Sequence, residues 1–238
     1  MQTVNCKLTT MHEEEHFKSS DALKDVVIGM ADGLTVPFAL AAGLSGAVDS
    51  NVIVITAGIA EIVAGSIAMG LGGYLAGKTD SDHFNSELQR EYDEVEKLPD
   101  KEKQEIRDVL AEYGISTSTQ NAVANELALD KNKWVDFMMK FELGLEEPKP
   151  KRATQSARNI ALSYVAGGFI PLSAYFFTSR PQEGLIISSA ITLLALLAFG
   201  YFKARVTGQP KWQGAYRTAL IGALAAGAAF FIARFISS

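Results

Sequence analysis

The chain has 238 residues, 48% of them hydrophobic, and a formal net charge of −5. A negative balance argues against a nucleic-acid partner, and a single cysteine, Cys6, rules out an intramolecular disulfide and a cysteine-rich metal site. The mean hydropathy of +0.11 hides a segregation: residues 78–157 hold 18 of the 27 acidic residues and 12 of the 22 basic ones, and the long runs around them hold very few. Such segregation implies that part of the chain dissolves in a bilayer, with membrane lipid as a partner.

Residues 1–24 are polar and acidic and lack the apolar core of a cleaved signal peptide, so the first span is expected to direct insertion, with this segment cytosolic. Residues 25–77 hold two spans, 25–47 and 52–77; residues 78–157 form an acidic helical insert; residues 158–238 hold three more spans, 159–179, 184–202 and 216–236. Each is near the roughly 20 apolar residues that cross a hydrocarbon core. The expected fold is all-α: a polytopic membrane protein with five transmembrane helices and a cytosolic metal-binding insert.

Orientation follows from Lys and Arg. One side receives Lys7, Lys18, Lys24, the whole insert, Lys203, Arg205, Lys211 and Arg217; the other receives only Arg180 and Arg234. The positive-inside rule puts the N-terminus and the insert in the cytosol and the C-terminus across the membrane. Small-xxx-small pairs (Gly29 and Gly33, Ala64 and Ala68, Gly73 and Gly77, Gly222 and Ala226) let helices approach closely, either within one chain or across a dimer seam.

Two carboxylates lie inside the spans. Asp32 is about 12 Å beyond Lys24, and Glu61 is about as deep from the opposite side. An acid there costs roughly 2.5–3.5 kcal/mol on insertion scales, and such residues usually face a bundle interior or an aqueous path. The bland alternatives are a helix cap for Asp32, beside Gly33 and Pro37, and a structural hydrogen bond for Glu61. Met69 is expected at about the depth of Asp32. A soft thioether with a hard carboxylate suits Fe²⁺, Co²⁺ or Zn²⁺ better than Mg²⁺ or Ca²⁺, although a methionine in a span is more often packing. Pro37 is expected to bend the first span and free backbone carbonyls.

In the insert, residues 82–98 read as a helix with Phe84, Leu88, Tyr92 and Val95 on one side and Glu87, Glu91 and Glu94 on another. Pro99 breaks it, and Asp100 is a candidate N-cap for a second helix bearing Glu102 and Glu105, which Gly114 stops. A third helix covers 116–128. A fourth, 131–145, sets Met138 and Met139 on one face with Glu142; residues 149–152 form the linker back to the membrane. Spacing alone favours a solvated, salt-bridged surface for these glutamates, but carboxylates from several helices can also build a metal site, as helix bundles do for iron. No Glu-x-x-His pattern accompanies the insert glutamates, which counts against a di-iron oxidase.

The stretch DVVIGMADGLTVPFALAAGLSGA, the following GIAEIVAGSIAMGLGGYLA, the acidic LQREYDEVEKLPDKEKQEI and the later YVAGGFIPLSAY together resemble the vacuolar iron transporter family, over nearly the whole chain from His16 onward. Ala31 departs from the pattern, where many relatives carry serine before Asp-Gly. The resemblance implies no enzyme but a homodimeric antiporter of the vacuolar membrane, exchanging cytosolic Fe²⁺ for protons, with Zn²⁺, Co²⁺ or Mn²⁺ as other occupants. It implies a pathway along Asp32, Glu61 and Met69, with Asp25 as a relay near its mouth. It also implies a metal-collecting set of Glu91, Glu94, Glu102, Glu105 and Glu142, with Met138 and Met139 alongside. The rival readings are a membrane-anchored ferroxidase, a Mn²⁺-selective transporter of the same build, and an insert that senses metal and gates transport.

Overall fold

The structure is a computed structural model that describes residues 21–237; the opening segment through Ser20, including Cys6 and His16, lies outside the described residues. Eight α-helices follow in order: α1 (Asp21–Ala47), α2 (Asn51–Lys97), α3 (Pro99–Glu112), α4 (Thr117–Leu127), α5 (Lys131–Phe137), α6 (Arg152–Ser173), α7 (Pro181–Val206) and α8 (Lys211–Ser237). No strand occurs among the described residues. Five helices are long and apolar enough to cross a membrane: α1, α2, α6 with its 3₁₀ extension to Phe177, α7 and α8.

The spans pack through α6, which lies against both α1 and α2, while α8 covers α1 and α7. Glycine makes the first contact possible. A Cβ on Gly29 would lie 2.2 Å from the Ile160 carbonyl oxygen, and one on Gly33 2.3 Å from that of Tyr164. Gly73 and Gly77 meet Ile160, Ser156 and Ala153 of the same helix, and Gly222 meets Leu196 of α7. Three of the four small-residue pairs are therefore seams inside one chain; Ala64 and Ala68 alone stay exposed. Pro37 and Pro171 sit inside α1 and α6. Each removes the N–H that would otherwise bond the carbonyl four residues earlier, on Gly33 and Gly167, and those glycines touch one another.

At the end of the bundle remote from the insert, Asn51 starts α2 and its amide donates to the carbonyls of Tyr175 (3.2 Å) and Thr178 (2.5 Å). The Tyr175 hydroxyl lies 2.9 Å from Ser45 Oγ, so a buried aromatic ties α1 to the end of α6.

α2 has 47 residues, about 70 Å at 1.5 Å per residue. The helix expected at 82–98 is not separate: it continues the second span without a break. Nothing between Lys78 and Leu98 is Gly or Pro, and the i,i+4 pair Lys78–Asp82 (2.6 Å) supports the helix where it turns polar. α3 begins two residues earlier than expected, with Leu98 rather than Asp100 in the N-cap position and Pro99 as the first helical residue, because proline is pre-organised for the first helical position. Gly114 ends the segment at φ +72, a conformation only glycine adopts cheaply. Asp130 caps α5, accepting from the backbone N–H of Asn132 and Lys133. The expected helix 131–145 changes character midway: Met138–Glu142 is a π-helical turn, closed by the bond from Leu143 N to Met138 O at 3.1 Å. The insert has its own core of Val95, Ile106, Ala124, Trp134, Val135, Met138 and Met139.

Candidate transport pathway and acidic insert

α6 serves as a ruler for depth. Ser156 on α6 donates to Asp25. Gly70, next to Met69, faces Ala157 and Ala161; Gly33, next to Asp32, faces Tyr164; and Gly168 faces Ile62, next to Glu61. From the insert side inward the order is Asp25, Met69, Asp32, Glu61, spread over about 18 Å. Met69 sits about one helical turn nearer the insert than Asp32, not level with it.

Asp25 is 2% exposed and fully engaged. Arg152 donates to it through both terminal nitrogens (2.8 and 3.0 Å), Ser156 Oγ donates at 2.9 Å and Asn159 Nδ2 at 3.4 Å. As placed, this acid anchors the start of α1 to the start of α6.

Glu61 differs. Its Oε1 accepts a hydrogen bond from the Tyr164 hydroxyl, while Oε2 is buried with no partner. The residue lines a groove of about 500 Å³ whose other walls are mostly apolar, from Thr35, Val36 and Leu40 of α1 to Ala225 and Ala229 of α8. Gly65 makes room for the tyrosine: a Cβ there would lie 2.4 Å from its hydroxyl oxygen. Tyr164 is also within electrostatic reach of Asp32, which is half-buried on α1. The phenol thus bonds one span acid and lies within electrostatic reach of the other. In the sequence Tyr164 stands out only as the first residue of YVAGGFIPLSAY; the usable signal is a hydroxyl in hydrocarbon, which needs a partner.

The five insert glutamates come together. Glu91 and Glu94 on α2, Glu102 and Glu105 on α3 and Glu142 on the π turn lie within electrostatic reach of one another. Glu102 is fully buried and neither of its oxygens has a hydrogen-bond partner; Glu91 Oε2 is likewise orphaned. Burial, then Glu105, Glu91 and Glu94, pushes the Glu102 carboxyl up to about 8. Burial, then Glu142, Glu94 and Glu105, lifts Glu91 to about 7. Glu142, at the rim, is raised by partial burial and then by Glu105. The outer acids are partly neutralised: Arg90 pairs with Glu94 at 2.9 Å and Lys101 with Glu105 at 2.9 Å. Among the described residues no three His, Cys, Asp or Glu side chains yet converge at metal-ligand spacing. Met138 and Met139 do not share an open face with Glu142. They are 0% and 2% exposed within the insert core, whereas Glu142 is exposed.

Such an arrangement belongs to an α-helical, multi-span membrane protein with acids inside its spans and an acidic helical appendage. Residues 23–234 match the model of the VIT family. The chain is 53% identical to vacuolar iron transporter 1 of Tulipa gesneriana over 95% of its own length and 92% of the relative's. It is 51% identical to vacuolar iron transporter 1 of Arabidopsis thaliana (94% and 90%), and 37% identical to protein CCC1 of Saccharomyces cerevisiae (92% and 71%). The chain belongs to the VIT family.

Proposed function

We propose that this protein is a multi-pass transporter of the vacuolar membrane that carries Fe²⁺ from the cytosol into the vacuole in exchange for protons. The names of its relatives support iron as cargo and the vacuole as destination. The observation that carries the mechanism is the Glu61–Tyr164 pair: a carboxylate with one oxygen bonded and one buried and free, in an otherwise apolar groove. That oxygen can hold a proton or a cation but not both, and the competition couples opposing fluxes. Met69 offers a soft thioether on the insert side of Asp32, favouring Fe²⁺, with Co²⁺, Zn²⁺ and Mn²⁺ as competitors.

The insert, in the cytosol with the N-terminus, collects metal with Glu91, Glu94, Glu102, Glu105 and Glu142. A cation entering between α2 and α3 would compensate the buried Glu102 and Glu91 oxygens that now lack hydrogen-bond donors. Met138 and Met139 contribute by setting the core beneath this set. Asp25 holds the mouth of the pathway in shape. The functional unit is a homodimer, for which the exposed α2 face carrying Val63, Ile67 and Leu71 is available.

The test is Fe²⁺ uptake into proteoliposomes with an imposed pH gradient. Uptake should require an acidic interior and collapse when the gradient is dissipated, and Asp32→Ala and Glu61→Ala should abolish it. Gradient-independent uptake, or full activity in either variant, would overturn the proposal. Equal loss on mutating the insert would contradict a collecting role, oxygen consumption coupled to iron would favour the ferroxidase reading, and stronger competition by Mn²⁺ would reassign the cargo.

A further inference from the structure

A polar cavity lies far along the chain from the acids described above. About 470 Å³ in volume, it sits between α7 and α8 beside their connecting turn and is lined by Lys203, Thr207, Gln209, Gln213 and Arg217. By the parity of the crossings this turn is on the same face of the membrane as the insert. We propose that the cavity binds the phosphate headgroup of an anionic membrane lipid.

Charge is the first reason. The chain is acidic overall, yet residues 184–238 contain no Asp or Glu, while Lys203, Arg205, Lys211 and Arg217 cluster around this turn. Among the described residues none of the four has an ion-pair partner. Lys203 and Arg205 are explained in part by the carbonyl end of α7, where a cation is favoured. Lys211 is not: it opens α8, at the end where the helix dipole opposes a cation. An anion between the two helix ends would satisfy both sets.

Shape is the second reason. α7 and α8 touch through Gly200 and Gly214, where a Cβ on Gly214 would lie 2.5 Å from that of Ala204 and one on Gly200 2.7 Å from the Gly214 carbonyl oxygen. Gly208, at φ +69, then turns the chain, and the bonds from Thr207 N to Lys203 O (3.0 Å) and Gln209 N to Ala204 O (2.9 Å) finish α7. Backbone contact on one side and a tight turn on the other leave a fixed hollow, with a guanidinium fork and an ammonium on its walls. That pairing suits a phosphate.

Depth is the third reason, and it selects a lipid over a soluble phosphate. Trp212 meets Tyr201 edge-on and lies tilted to Tyr216, at centroid distances of 5.4 and 6.4 Å, and yet Trp212 and Tyr216 remain about two-thirds exposed. Exposed tryptophan and tyrosine at a span terminus mark the headgroup level. Basic hollows between spans at that level are where acidic headgroups lodge.

Native mass spectrometry of the full-length protein, titrated with dioleoyl phosphatidic acid or dioleoyl phosphatidylcholine, tests this directly. The expected result is selective retention of phosphatidic acid, weakened about tenfold or more in Lys203→Gln/Arg217→Gln and unchanged in Arg234→Gln near the opposite face. Gln213→Glu keeps both cations but places an acid in the hollow, and should weaken retention even if the double variant folds poorly; Lys203→Arg/Arg217→Lys should preserve it. Equal retention of phosphatidylcholine, undiminished retention in Gln213→Glu, or displacement by inorganic phosphate at matching concentration would overturn the proposal.

Discussion

Glu61 has a donor for one carboxylate oxygen and none for the other, and both facts bear on its chemistry. A hydrogen bond to a charged group contributes ~1.5–3 kcal/mol, so Tyr164→Phe should slow Fe²⁺ uptake by roughly tenfold or more, since ~1.4 kcal/mol is a factor of ten. Because the phenyl ring remains to fill the space beside Gly65, thermal stability in detergent should fall far less than uptake. Uptake at the wild-type rate in reconstituted Tyr164→Phe would show that the phenol is only packing. Glu102 presents the opposite case, an acid with no donor at all. Its carboxyl stands at about 8 in the folded chain against an ordinary value near 4.5. The folded state therefore holds the proton more tightly, and this contribution to stability is complete below pH 4.5 and lost as pH rises through about 8. In metal-free protein, Glu102→Gln should flatten the pH dependence of the insert's thermal transition and raise its midpoint at pH 8. Added Fe²⁺ under anaerobic conditions should restore the wild type at pH 8, with proton release, but not the variant. A wild-type transition that does not move between pH 6 and 8 would count against this account.

At the scale of elements, α1 and α6 form the joint that sets Gly33, next to Asp32, against the Tyr164 backbone, and it depends on the missing side chains of Gly29 and Gly33. A methyl at Gly33 must displace the Tyr164 backbone, an overpacking that costs ~1–3 kcal/mol. Gly72, on α2, has nothing within 4 Å of where a Cβ would stand. Gly33→Ala should lower the melting midpoint and uptake together. Gly72→Ala should leave uptake intact and stabilise slightly, since alanine is favoured in helices by ~0.5–1 kcal/mol. The spans themselves were legible in the sequence because a bilayer demands long apolar runs, and that demand leaves a mark in composition. The continuity of α2 was harder to read. Hydropathy changes abruptly near Lys78, but a helix ends only where backbone or caps end it, and the first breaker is Pro99. The π turn left no comparable trace, and spacing alone could not tell that Met138 and Met139 fill the insert core while Glu142 stays exposed. Asp32, Glu61 and the insert glutamates could be picked out as acids in unusual places. That Glu61 meets Tyr164, 103 positions away, follows only from how α2 and α6 pack.

For the molecule as a whole, the question is how the acidic insert stays in register with the spans. It is attached at two places. One is α2, which runs unbroken from the far end of the bundle into the insert core. The other is the returning chain, where Lys151 takes a left-handed conformation (φ 64) and Arg152 then opens α6 while forking onto Asp25. Lys149 adds a second tie to Asp21 at 2.9 Å. Removing one partner of a buried pair costs ~3–5 kcal/mol. Arg152 keeps a quarter of its side chain in solvent, so Asp25→Asn should lie near the lower end, about 3 kcal/mol. Arg152→Lys should also destabilise, because an ammonium cannot make the two parallel bonds of the guanidinium fork. Asp25→Asn/Arg152→Gln should recover part of the loss, since neither charge is then stranded. Hydrogen exchange would separate an anchor from a relay. If the clamp holds the returning chain, Asp25→Asn will speed exchange in residues 145–156 while the α2 segment inside the insert core stays protected. Unchanged exchange there, alongside a lost pH dependence of uptake, would instead make Asp25 part of the proton path.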